Sequence, residues 1–172
     1  IYGQGTAAYE VIHDAKNPKL DNAIICAGGG GLTAGSCISI KHINPSCNVF
    51  TAEPDDWNDH QLSFEKNERV AMDTNRGGLC DGLLTPTPGE IPFAINTHFG
   101  VKGLSVSDQA VCDAMRFAFN RLNLKLEPSG AVALACLLEN KEIFKGTRTL
   151  VMLSGGNVDQ KTFSECLAKA NQ

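Results

Sequence analysis

Apolar residues along this chain alternate between two spacings. Short apolar runs at residues 23–27, 48–52, 101–106 and 149–153 are bounded by turn residues, which predicts strands. Between them apolar residues recur every three or four positions, which predicts helices. The first, over 6–15, puts Ala7, Ala8, Val11, Ile12 and Ala15 on one face and is stopped by Pro18. Others are predicted over 32–43, ended by Asn44-Pro45, over 56–66 and over 160–170. Ser107 is a cap residue ahead of a helix that buries Val111, Ala114, Met115, Ala118, Phe119 and Leu122. The nearly all-apolar stretch 131–138 predicts a helix buried all round, and 69–92, rich in Gly, Pro and Asp, predicts mostly loop. The alternation predicts one α/β domain over residues 1–172, with a mainly parallel sheet covered by helices on both faces.

Composition narrows the function. With 42% hydrophobic residues in 172, the chain can build a real core. A net charge of −4 without a basic run argues against nucleic-acid binding. No apolar run approaches membrane-spanning length and no signal peptide is visible, so a cytoplasmic location is expected. The seven cysteines (Cys26, Cys37, Cys47, Cys80, Cys112, Cys136 and Cys166) contain no C-x-x-C pair, which leaves zinc and thioredoxin motifs unsupported. Buried free thiols are expected instead. The chain begins at Ile1, so it is expected to be part of a longer polypeptide.

Candidate chemistry starts at Gly28-Gly29-Gly30-Gly31, between a strand and a helix. Such a turn aims backbone N–H groups and the positive end of a helix dipole at one spot, an anion site. A nucleotide P-loop is disfavoured, because Gly35 is followed by Ser36-Cys37 with no lysine. A dinucleotide fingerprint fits loosely through Gly29, Gly31 and Ala34, with Glu53 as ribose-binding acid. A plain tight turn needs fewer glycines. A second turn, Ser154-Gly155-Gly156-Asn157, also follows an apolar strand. In a parallel sheet both turns share one edge, which suits a compact ligand with a phosphate at one end and a polar ring atom at the other. Pyridoxal phosphate has that shape.

Six motifs occur in order: Gly3-Gln4-Gly5-Thr6, Gly28–Leu32, Ala52-Glu53-Pro54, Asp81-Gly82, Glu127-Pro128-Ser129-Gly130-Ala131 and Ser154–Asp159. Together the chain resembles the C-terminal portion of the serine/threonine dehydratase and serine racemase family, fold type II pyridoxal-phosphate enzymes with a tryptophan-synthase-β-like large domain. The resemblance implies that Gly28, Gly29, Gly30, Gly31 and Leu32 cradle the cofactor phosphate. It implies that Ser154 hydrogen-bonds the pyridine nitrogen and that Gly82 and Glu127 line the ring. A neutral hydroxyl does not force the ring nitrogen to be protonated, which favours loss of a β-leaving group over transamination. The bland alternative for Glu127 is an exposed acid at a helix N-terminus.

The resemblance also implies a divalent cation (Mg, Ca or Mn) held by Glu53, the Trp57 carbonyl and Asp59, oxygen donors that suit a hard ion. The alternative is a solvated acidic loop capping the next helix. The family's Schiff-base lysine lies in a Ser-x-Lys context upstream of the Gly3-Gln4-Gly5-Thr6 motif, and no lysine of this chain precedes that motif. No catalytic residue is therefore assigned, and the chain is expected to be inactive alone. The leading expectation is a lyase that converts L-threonine or L-serine to a 2-oxo acid and ammonia, as a homodimer. Serine racemase or 3-hydroxyaspartate ammonia-lyase is the nearer alternative. A dinucleotide-binding oxidoreductase domain and a non-catalytic fragment are alternatives of different classes.

Overall fold

The structure, a computed structural model, describes residues 1–16 and 19–170. The expected helix stop at Pro18 lies outside the described residues. Strands β1 (Asn22–Cys26), β2 (Asn48–Pro54), β3 (Lys102–Val106) and β4 (Thr149–Val151) form one parallel sheet in the order β3-β2-β1-β4. Side chains alternate across a strand. Ile24, Cys26, Phe50 and Ala52 therefore enter a core built with α5 (Asp108–Phe117), α6 (Pro128–Glu139) and α8 (Gln160–Lys169). Ala23, Ile25 and Val49 enter a second core with α1 (Tyr2–Asp14) and α2 (Gly31–Ile43). Both faces of the sheet are covered, as the near-continuous apolar strands require.

The strand order changes direction at β1, with β2 and β3 on one side and β4 on the other. In open α/β sheets ligands bind outside the carboxyl ends of the strands at such a switch point. Gly28 follows β1 and Ser154 follows β4, so the topology places both candidate turns there.

Several expectations need correction. Helix α4 (Glu90–His98) begins inside the stretch expected to be loop. Pro92 is its third residue, where a missing N–H costs no intrahelical bond. The short α7 (Lys141–Phe144) was also not expected. The segment 56–66 divides into a single 3₁₀ turn, Asp55–Trp57, and α3 (Asp59–Lys66). Phe119 and Leu122 are 43% and 45% exposed rather than buried. Residues Ala118–Leu122 form a wider π-helical turn, which carries their side chains out of the 3.6-residue register. Helix α1 buries only the narrow stripe Gly5, Ala8 and Ile12, and leaves Val11 and Ala15 exposed. Among the described residues no helix is long and apolar enough to cross a membrane.

Candidate cofactor site

The turns after β1 and β4 meet at a cavity of about 270 Å³. Gly28, Gly29, Gly30, Gly31, Leu32, Gly82, Glu127 and Ser154, the eight positions singled out from the sequence, all line it. Cys26, Leu83 and Ser129 complete the wall and were not anticipated. Glu127 is the only carboxylate among these lining residues. A larger groove of about 390 Å³, beside Arg116, Phe117 and Leu138, contains none of the candidate residues.

Backbone geometry suits the glycine turn to an anion. The Gly28 carbonyl accepts from His60 Nε2 at 2.9 Å, and the Gly29 carbonyl accepts from the Gly89 N–H at 3.0 Å. Across a trans peptide the next N–H points opposite the carbonyl. The amides of Gly29 and Gly30 are thereby turned away from His60 and Gly89. Gly30 enters α2 with φ of +83°, and a Cβ there would collide with His60 Cε1. Both features call for glycine. The first turn of α2 adds unpaired N–H groups and the positive end of the helix dipole.

His60 is fully buried, and burial pushes its pKa down to about 4, so the ring is neutral. Because a carbonyl only accepts, Nε2 carries the proton. Nδ1 has no partner among the described residues.

Opposite the cradle, Ser154 Oγ is hydrogen-bonded to Cys26 Sγ at 2.8 Å. Burial raises the Cys26 pKa and keeps the thiol protonated. Glu127, half-buried, accepts the Asn157 N–H through Oε2 at 2.9 Å. Gly155 has φ of +97°, and a Cβ there would collide with Glu127 Oε1, so this turn closes tightly over the carboxylate. Glu127 is therefore not the exposed helix-end acid of the bland alternative. Ser129 Oγ accepts the Gly82 N–H at 2.9 Å and ties the 3₁₀ turn Asp81–Leu83 to α6.

The acidic segment after β2 divides in two. Asp55 and Asp56 are exposed, while Glu53, Trp57 and Asp59 are buried. The Glu53 carboxylate accepts the His60 and Gln61 N–H groups at 2.8 and 2.9 Å, and so caps α3. The capping half of the solvated-loop alternative holds, and the solvation holds for Asp55 and Asp56 but not for Glu53, Trp57 and Asp59. Both Asp59 oxygens lack a hydrogen-bond partner among the described residues. Burial pushes the Asp59 carboxyl up to about 7. Burial first, and the Asp59 charge second, raise Glu53 well above the usual carboxylate range. Two buried carboxylates that repel, one with free oxygens, fit a hard cation between them. Among the described residues no three His, Cys, Asp or Glu side chains gather at one point, so such an ion would also need carbonyl or water oxygens.

Comparison with known proteins agrees with this geometry. Residues 1–155 match the family described as pyridoxal-phosphate dependent enzyme. The chain is 36% identical over 169 residues to a serine racemase of Schizosaccharomyces pombe, covering 98% of this chain and 51% of that protein. It is 35% identical over 168 residues to an L-threo-3-hydroxyaspartate ammonia-lyase of Saccharomyces cerevisiae, covering 98% and 51%. The crystal structure of a threonine deaminase from T.th. superposes with a TM-score of 0.85 at 33% identity, covering 91% of this chain and 53% of that one. The chain thus spans about half the length of the curated relatives it matches. It belongs to the pyridoxal-phosphate-dependent enzyme family, has the type II fold, and counts serine/threonine dehydratases and serine racemases among its homologues.

Proposed function

We propose that this chain is the phosphate-cradling half of a pyridoxal-phosphate-dependent ammonia-lyase that converts L-threonine or L-serine to a 2-oxo acid and ammonia. The observation that carries the reading is the meeting of a glycine anion cradle and the Ser154 hydroxyl at one cavity. Pyridoxal phosphate, when bound, supplies the electron sink for breaking bonds at the amino-acid α and β carbons. The Gly29 and Gly30 amides and the first turn of α2 bind its phosphate. Ser154 donates to the ring nitrogen without giving up its proton. Glu127 and Gly82 flank the ring. Glu53, Asp59 and the Trp57 carbonyl hold a divalent cation that steadies the start of α3. Among the described residues no lysine lines the cavity, so we assign the lysine that bonds the cofactor aldehyde to a part of the protein outside this chain.

A second reading, racemisation of serine or elimination from 3-hydroxyaspartate, is favoured by the 36% and 35% identities to enzymes bearing those names. The test is to incubate the full-length protein with L-threonine, L-serine and L-threo-3-hydroxyaspartate in parallel, and to assay 2-oxo acid, ammonia and D-serine. Oxo acid mainly from threonine or serine supports the lyase. D-serine, or oxo acid from hydroxyaspartate alone, supports the second reading. No cofactor binding and no product from any of the three defeats both. This chain by itself is expected to give no turnover.

A further inference from the structure

His60 has no role in the reading above, yet it meets the glycine turn at two points. Its Nε2 donates to the Gly28 carbonyl at 2.9 Å, and its ring lies so close to Gly30 that no Cβ fits between them. A run of four glycines has more backbone freedom to lose than any other tetrapeptide, so an anion site built from it needs holding from outside. One such hold is the Gly89 N–H on the Gly29 carbonyl. The other is His60. The histidine is itself fixed: its N–H is bound by Glu53 Oε1 at 2.8 Å, and its ring packs on Phe64, which stacks on Phe93. A rigid path therefore runs from Glu53 through His60 to Gly28.

We propose that His60 is a positioning residue for the phosphate cradle: its Nε2–H anchors the Gly28 carbonyl, and its ring braces Gly30, so that the Gly29 amide faces the anion before the anion arrives. The inference rests on the cavity being the cofactor site and adds a residue that sets its affinity for the phosphate group. Preorganised donors bind without the cost of ordering the loop.

The experiment measures dissociation constants of the full-length protein for pyridoxal phosphate and for phosphate-free pyridoxal, in wild type, His60→Leu and His60→Gln. Gln carries its amide nitrogen as many bonds from the backbone as His carries Nε2, so it can still donate to Gly28. The leucine variant is expected to lose about tenfold in pyridoxal-phosphate affinity with little change for pyridoxal, and Gln is expected to restore most of that loss. General loosening of the fold would weaken both ligands alike. A phosphate preference kept intact in His60→Leu overturns the inference and leaves the cofactor reading standing. A wild-type protein with no phosphate preference overturns both. Wild-type NMR needs no variant: during titration with inorganic phosphate, the Gly29 amide and the His60 Nε2–H proton are expected to shift with one midpoint. A Gly29 shift with His60 unmoved counts against the proposal.

Discussion

Ser154 Oγ lies 2.8 Å from Cys26 Sγ, joining the turn after β4 to the last residue of β1. The two strands are neighbours in the sheet, so the contact closes the switch-point crevice at its floor. With the Cys26 thiol held protonated by burial, its S–H can donate to Ser154 Oγ and leave the hydroxyl proton free for an acceptor in the cavity. Ser154→Ala removes the hydrogen bond proposed for the ring nitrogen and leaves the backbone turn in place. Pyridoxal-phosphate affinity of the full-length protein, followed by cofactor absorbance, is expected to fall about two- to tenfold. Unchanged affinity would remove Ser154 from the site.

Gly30 and Gly31 are adjacent but not equivalent. A methyl group at Gly30 meets the His60 ring, and φ of +83° is a conformation that L residues rarely adopt. At Gly31 a Cβ meets no atom within 4 Å. Gly30→Ala is expected to cost about 1–3 kcal/mol in urea unfolding, and Gly31→Ala well under about 1 kcal/mol. Equal losses would mean that the turn tolerates a side chain at Gly30 and that its left-handed entry into α2 is not required.

These two cases also show what was legible in the sequence. Every strand was visible as a short apolar run, because a parallel sheet covered on both faces leaves few polar positions. The cavity wall was visible where it is built from glycine, since few other residues meet such backbone demands. His60, Cys26 and Ser129 were not visible, because each acts through a hydrogen bond to a residue 32, 128 or 47 positions away, and such a bond leaves no local pattern. Helix α4 was hidden by Pro92 in its first turn. The exposure of Phe119 and Leu122 was hidden by a π-helical turn that no periodicity announces.

All seven cysteines are free and buried, and burial pushes Cys37 and Cys47 up to about 11. The thiolate is the reactive form, so a raised pKa and exclusion of the reagent both slow the reaction. At pH 8 the native protein is expected to release almost no colour with a disulfide reagent, and all seven thiols are expected to react after denaturation. Of the seven, only Cys26 lines the cavity, so any slow native-state modification is expected there and is expected to be blocked by pyridoxal phosphate. Rapid labelling of several native thiols would contradict the packing of both cores.

Glu53 and Asp59 have different partners, and that separates cation binding from helix capping. Glu53 already satisfies two backbone N–H groups, whereas both Asp59 oxygens are buried without a partner among the described residues. Glu53→Gln replaces one acceptor oxygen with a donor facing an N–H. It is expected to lower the melting temperature with or without a cation, through the lost cap. Asp59→Asn leaves that cap intact and removes a buried charge that repels Glu53, so without a cation its melting temperature is expected to equal or exceed that of wild type. Binding to the folded state alone stabilises it by about 2.7 kcal/mol at roughly a hundred times Kd. Millimolar Mg, Ca or Mn is therefore expected to raise the wild-type melting temperature and to leave Asp59→Asn unmoved. If the wild type ignores all three ions and Asp59→Asn is more stable than wild type, the pair is a helix cap with a strained neighbour and holds no metal.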